Sequence, residues 1–361
     1  MYLVACTTLL MSQASVDCAD AQESRPSLRP KLIPTLESLP HTALPTAIFH
    51  GWCGQNDRYL LDASGELSAY DAGVKVAAVA VSPSWPWQCR NDGQQLIYVD
   101  TSIGHVSRVE IASGDSQWIA SYERPKEKNG TMSFSPDFGK VATIVPLELT
   151  ANAGQLGVIL VGQRKKGDGT ETAELIKWSQ DGSKIIVAYP TAIEILDASG
   201  TKVGLMTRPK GAYVRDGWFD RGKQALTLYL DTERPPGFTV RCQMAAGRCD
   251  PVKSRLESFS IGGGGIVGTV APLGKTVAPV DDSPVTYGEY AVEIRNAASA
   301  LLARQVYSTS NGRQEFRVNV SPSGKWSILT WDDDRQPECG SYPDSYKCAQ
   351  GILVDLSKAI K

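Results

Sequence analysis

Phe134-Ser-Pro-Asp-Phe-Gly139-Lys-Val-Ala and Trp178-Ser-Gln-Asp-Gly182-Ser-Lys-Ile-Ile follow one local plan: a tight polar turn containing Gly opens into a run of alternating apolar residues. Cys89-Arg-Asn-Asp-Gly93-Gln-Gln-Leu-Ile precedes them, and Trp218-Phe-Asp-Arg-Gly222-Lys-Gln-Ala-Leu and Val320-Ser-Pro-Ser-Gly324-Lys-Trp-Ser-Ile follow. The glycines lie 46, 43, 40 and 102 residues apart, and the last interval is two periods of 51 with one faded copy between. Alternating β-branched and polar residues between Gly, Asp and Asn turns are the pattern of half-buried antiparallel strands. A period of about 40 to 50 residues with strand-turn-strand content makes each repeat a four-stranded blade and the chain an all-β, single β-propeller.

Asn56-Asp57 and the glycine-rich stretch from Ser258 to Gly268 complete a set of turn centres near 57, 93, 139, 182, 222, 265 and 324. Trp52 to Lys361 spans 310 residues, about 44 per repeat, which predicts seven blades of four antiparallel strands; six result if the two weak first units merge. The clearest unit is the fourth, with strands Leu175 to Trp178, Lys184 to Tyr189, Ala192 to Leu196 and Thr201 to Met206. The final blade reads one strand short after Gly351 to Leu356. An unpaired sheet edge is a liability, so an N-terminal strand is expected to close the ring. Lys31-Leu-Ile-Pro-Thr-Leu36 is the candidate, with Pro34 tolerable on an outer edge. The expected organisation is a signal peptide over 1–21, an extended lead-in and closing strand over 22–46, and the propeller over 47–361.

Thirty-seven basic and 39 acidic residues nearly cancel, which argues against a nucleic-acid partner. Arg164-Lys165-Lys166, the one local basic cluster, lies in a Gly-flanked segment and reads as a solvated hairpin tip. No apolar run is long enough for a transmembrane helix. Tyr2 to Met11 has the length of a signal-peptide apolar region and Ala19-Asp20-Ala21 fits a small-x-small cleavage site. Leu3-Val4-Ala5-Cys6 resembles a lipobox, so a lipoprotein signal ending at a lipid-bearing Cys6 is the alternative. Eight cysteines become six once Cys6 and Cys18 leave with such a signal. The repeat register pairs Cys53 with Cys89, Cys242 with Cys249 and Cys339 with Cys348. A disulfide framework implies an oxidising compartment, periplasmic or extracellular.

Catalytic signals are sparse. Gly263-Gly-Gly265-Ile-Val-Gly268 matches a dinucleotide fingerprint, but the following Thr-Val-Ala-Pro-Leu-Gly cannot open a helix, so a blade turn is expected and no cofactor is implied. The chain has no Gly-x-Ser-x-Gly elbow. Of the three histidines, His41 falls in the lead-in and His50 in a first strand, while His105, in the short loop from Thr101, is best placed to face a ligand. Asp332-Asp333-Asp334 with Glu338 offers hard oxygen donors without the spacing of a calcium loop, so no metal is expected and the three aspartates are the fallback candidates. Trp85 and Trp87 in one turn, and Tyr342 and Tyr346 between Cys339 and Cys348, are the candidate anchors for a partner, with inter-blade packing the competing reading of the tryptophans.

The short Gly turns belong to one face of a propeller, and the longer stretches Tyr122 to Gly130, Leu147 to Gln155, Arg208 to Asp216, Asp231 to Gly237 and Asp332 to Gln350 belong to the other. Long loops on a rigid scaffold are where binding concentrates. The Phe-Ser-Pro-Asp-x-Gly-Lys and Val-Ser-Pro-Ser-Gly-Lys-Trp turns resemble those of the periplasmic Tol-system propeller and its WD-like relatives, over roughly Trp52 to Lys361. That resemblance implies the fold and an exported location. Neither the helical N-terminal domain of the Tol protein nor the hydrolase domain of prolyl oligopeptidases has a counterpart in the sequence. The expectation is an exported, non-enzymatic binding or scaffold protein with a protein or cell-envelope partner on the long-loop face. The alternative is a propeller enzyme of lyase, lactonase or hydrolase type, acting on a small molecule or glycan at the central channel.

Overall fold

The computed structural model describes residues 33–360 except 64–65, 80, 83–85, 124–131, 168, 210–211, 220–224, 233–236, 244–246, 274–287, 309–312 and 334–347. Seven sheets follow one another along the chain as the blades of a β-propeller. Blade 1 is Ile48–Cys53, Arg58–Ala63, Glu66–Asp71 and Val74–Val79, and blade 4 is Leu175–Trp178, Lys184–Ala188, Ala192–Asp197 and Lys202–Thr207. Blade 5 is Ala212–Phe219, Ala225–Thr232, Gly237–Gln243 and Arg248–Leu256; blade 6 is Ser258–Ile261, Val267–Pro272, Glu289–Arg295 and Leu301–Ser308. Each pairs antiparallel in sequence order.

Blades 2 and 3 depart from four strands. Blade 2 holds Trp87–Cys89, Gln95–Asp100, His105–Glu110 and Ser116–Ser121, and a fifth strand, Glu148–Leu149, adds antiparallel to its outer edge. That fifth strand comes from blade 3, whose own Met132–Phe134 and Lys140–Thr143 are followed by a detour over blade 2. The chain therefore returns from the opposite end, and Gly157–Leu160 pairs parallel with Lys140–Thr143. Blade 3 stops at three strands. An added hairpin, Arg164–Lys166 with Gly169–Glu171, leads from it to blade 4.

Blade 7 comprises Arg313–Val320, Trp326–Asp333 and Ala349–Asp355, and its fourth strand is N-terminal. The closing strand is His41–Ala43, paired antiparallel with Ile352–Val354, rather than Lys31 to Leu36. Leu36 instead opens a 3-10 turn, Leu36–Ser38, whose first N–H groups are capped by Thr35: its hydroxyl oxygen accepts from Ser38 N at 3.2 Å. This turn buries Leu36 and Leu39 in the apolar cluster between blades 6 and 7, beside Val292, Tyr307 and Leu356. Each such leucine contributes about 1.5–3 kcal/mol by leaving water. Arg304 N donates to Pro34 O at 3.1 Å and Asp355 N to Pro40 O at 2.8 Å, so the lead-in clasps two blades.

The core sits at the seams. Separate apolar clusters fill the junctions of blades 1 and 2, 2 and 3, 3 and 4, 4 and 5, 6 and 7, and 7 and 1. Between blades 5 and 6, Trp218 and Phe259 meet edge to face at 5.3 Å. The repeated Gly turns lie between first and second strands and touch one another around the ring. Gln55 N donates to Asn91 O at 2.5 Å, Asn91 N to Pro136 O at 2.8 Å and Gly263 N to Ser321 O at 3.1 Å. Ser323 N donates to Asp57 Oδ1 at 3.0 Å across the final seam. Gly93 shows why glycine is required there: its φ is +67°, and a Cβ would stand 2.5 Å from Asn56 Oδ1 and 2.8 Å from Cys53 O of the preceding blade.

Two disulfides lie among the described residues. Cys53–Cys89 joins blades 1 and 2, and Cys242–Cys249 joins directly opposed residues on neighbouring strands of blade 5. Cys348 is disulfide-bonded as well, and Cys339, expected as its partner, lies outside the described residues. So do residues 1–21, expected as a leader carrying Cys6 and Cys18, and Lys31 and Leu32 of the expected closing strand. Among the described residues no helix is long and apolar enough to cross a membrane.

Candidate functional site

An innermost strand presents one backbone edge to the channel and sends its side chains alternately toward the two neighbouring blades. Several of these polar side chains join blades, although Arg317 and Glu315 pair with each other on the innermost strand of blade 7. Gln88 of blade 2 both donates to Phe134 O at 2.5 Å and accepts from Phe134 N at 2.9 Å on blade 3. Trp178 Nε1 of blade 4 donates to Ser133 O at 2.9 Å, and Trp52 Nε1 of blade 1 donates to Asn319 O of blade 7 at 3.3 Å. Ser258 and Ser260 of blade 6 accept from Val318 N and Val320 N of blade 7 at 3.1 and 3.0 Å. Lys177 of blade 4 pairs with Asp216 of blade 5, its ammonium 5.0 Å from the Trp218 ring centroid. Groups committed this way are poor material for a converging catalytic set, because freeing any one of them leaves a part-buried partner unsatisfied.

The long-loop face differs most over blades 3 to 5. Glu171, at the end of the hairpin, accepts from Thr191 Oγ1 at 2.6 and 2.8 Å and from Arg164 at 3.2 Å. The Thr191 hydroxyl first, then Arg164 and Lys166, hold its carboxyl below the usual range. The Tyr189 hydroxyl donates to Gly162 O at 2.9 Å, and burial pushes its pKa up to about 12. Arg208 is buried beneath, donating to Tyr189 O at 2.8 Å and also to Ala212 O and Glu174. Its guanidinium lies 5.4 Å from the Tyr213 ring centroid. Tyr213 itself, at the start of the innermost strand of blade 5, is 44% exposed. A tyrosine is thus held out on a frame fixed by a buried arginine. Ile103, in the loop between second and third strands of blade 2, is 60% exposed, and Leu273, in the corresponding loop of blade 6, is 47% exposed.

Several residues singled out by sequence take other places. Trp87 is half-buried in the seam of blades 1 and 2, against Gly51, where an added Cβ would meet its ring at 3.2 Å. His105 is the first residue of a strand rather than a loop residue, half-buried, with its ring stacked on Trp118 at 4.7 Å. His50 stands at a bulge in the innermost strand of blade 1, 3.6 Å from Asp62, and burial lowers its pKa despite that carboxylate. His41 is in the closing strand, its Nδ1 3.0 Å from Leu39 O. Asp332 lies in the second strand of blade 7, where burial, and then Glu315, raise its pKa against the pull of Arg317. Asp333 shares that strand. Trp85, Asp334, Glu338, Tyr342 and Tyr346 lie outside the described residues. Among the described residues no three His, Cys, Asp or Glu side chains converge as a metal site would need. Arg208 to Asp216, read as a long loop, is largely strand from Ala212 onward. Sequence reasoning missed Tyr213 for that reason.

The fold defines a seven-bladed β-propeller. The propeller domain of Myceliophteria thermophila Cps50 (Swd1) is similar in fold, with a TM-score of 0.51 at 9% identity over 87% of this chain and 99% of that one. A chain of the mitotic checkpoint complex scores 0.50 at 12% identity, over 96% of this chain and 99% of that one. Kuenenia stuttgartiensis hydrazine synthase scores 0.39 at 17% identity, over 82% and 79% of the two chains, and adds nothing to the fold assignment. No family model matches the chain, and no curated protein matches it in sequence.

Proposed function

We propose that the protein is an exported binding scaffold that holds a protein partner on the long-loop face of its propeller. The observation that carries this is the division of side chains between channel and face. Gln88, Trp178 and Ser258 of the innermost strands join one blade to the next, whereas Ile103, Tyr213 and Leu273 are large apolar residues left uncovered on the long-loop face. Large rigid side chains presented by a fixed frame lose little entropy on binding, and aromatic anchors of this kind carry much of an interface's energy. The likenesses to known structures are likenesses of fold, and the reading rests on these side chains instead.

Export, to the periplasm or beyond the cell, is supported by two disulfides placed where a reducing cytosol would leave free thiols. A cleaved leader over 1–21, or a lipid anchor at Cys6, would deliver the chain there. Tyr213→Ala and Leu273→Ala together test the binding reading. The pair is expected to leave the melting temperature within a few degrees of the parent and to weaken capture of the native partner. Undiminished capture would return the question to the channel.

A further inference from the structure

Blade 3 is one strand short because its chain lends Glu148–Leu149 to blade 2. The strand left outermost, Gly157–Leu160, has an open edge among the described residues. Its phase is fixed by the ladder to the strand inside it. Gly157 N donates to Gly139 O at 2.9 Å and Val161 N to Thr143 O at 2.7 Å, so the backbone of 157, 159 and 161 faces inward. Val158 and Leu160 turn their N–H and C=O groups outward, and their side chains are 40% and 59% exposed. Ile159 points the other way, onto Gly200 of the blade 4 turn, where an added Cβ would come within 2.8 Å of it. Lys140 Nζ reaches Ala198 O of the same turn at 2.6 Å. Blades 1, 4, 5, 6 and 7 have four strands and blade 2 has five, so blade 3 leaves a gap one strand wide, about 4.8 Å.

We infer that this gap is a strand-acceptor site for an extended segment of a partner polypeptide, running antiparallel to Gly157–Leu160, with apolar side chains beside Val158 and Leu160 and a carboxylate at its N-terminal end against Lys165. Main-chain bonds to an open edge supply affinity in such recognition, and alternate side chains supply specificity. Charge selects the occupant. The hairpin bearing Lys165 and Lys166 follows the far end of the edge strand; Lys166 is engaged by Glu171 at 3.7 Å, and among the described residues no ion pair forms at Lys165, so a strand with acidic residues at its start is favoured. This site lies on the outer rim and stands independently of binding on the long-loop face.

The probe is a fluorescein-labelled peptide, Glu-Glu-Thr-Val-Thr-Val-Thr, titrated with the full-length protein by anisotropy. Saturable binding is expected. Val158→Pro removes an outward N–H while leaving the inward ladder intact, since proline is tolerated where the N–H faces solvent. It should preserve the melting temperature and weaken the peptide by about tenfold or more. Lys165→Glu should weaken it by about threefold, and a peptide starting Lys-Lys should regain affinity for that variant alone. Absence of saturable binding to the parent protein, or equal binding by Val158→Pro, overturns the inference. Concentration-dependent dimerisation of the parent that Val158→Pro abolishes would make a second copy the occupant and overturn it too.

Discussion

Replacing Leu36 by Ala tests how the ring is closed. Leu36 is 1% exposed, locked between blades 6 and 7 by a turn that Thr35 caps. Deleting buried methylenes costs the lost transfer energy plus the cavity left behind, so unfolding in urea should show a loss of about 3 kcal/mol, within a range of about 2–5. Two backbone amides report on the clasp directly, because Arg304 N and Asp355 N donate to Pro34 O and Pro40 O on separate blades. If the lead-in opens as a unit, about 3 kcal/mol removes roughly two decades of hydrogen-exchange protection at both amides. Ile33→Ala, at an exposed position three residues earlier, should stay within about 0.5 kcal/mol of the parent. Unchanged exchange at Arg304 and Asp355 in Leu36→Ala would refute the clasp, whatever happened to global stability.

Three further outcomes follow from the same interactions. Removing Cys53–Cys89, which spans 36 residues, should cost about 4 kcal/mol in urea unfolding, against about 2.5 kcal/mol for Cys242–Cys249, which spans 7; the reverse order would contradict the chain-entropy account. Arg208→Met should lower stability by about 2–3 kcal/mol, since Tyr189 O and Ala212 O lose a buried donor, and a neutral result would mean water replaces it. Ser135 Oγ first, then Gly139 N, hold the Asp137 carboxyl below its usual range, so its contribution is present above that range and is lost as pH falls through the depressed folded value. The stability gap between parent and Asp137→Asn should therefore be open at neutral pH and close in strong acid; a gap that widened on acidification would reverse the sign.

The Gly turns were legible because their chemistry is local. Ser135-Pro-Asp137 and Ser179-Gln-Asp181 each close the turn with a Ser Oγ bond of 2.6 Å to the Asp, and the glycine follows from the close approach of the next blade. The strands of blade 4 were readable within a residue or two for the same reason. What was not legible depends on distant partners. Nothing in Leu147-Glu-Leu149 says that two of its residues pair with Ala120 and Ser121 of another blade, or that the next strand must then run parallel. The apolar spacing of Leu32, Ile33 and Leu36 imitates a strand, whereas Thr35 and Ser38 turn the chain and leave closure to His41–Ala43. Arg208 gave no signal either, since a lone arginine beside Pro209 reads as surface until Tyr189 O and Ala212 O are found against it.

Placement of the partner is tested most directly by photo-crosslinking in the native host, with a benzophenone side chain introduced singly at Ile103, Tyr213 or Leu273 on the long-loop face and at Asp115, Ser183 or Lys325 on the turn face. The account predicts a common protein adduct from the first three positions and none from the second three. Adducts confined to the turn face, or none from any of Ile103, Tyr213 and Leu273, would contradict it.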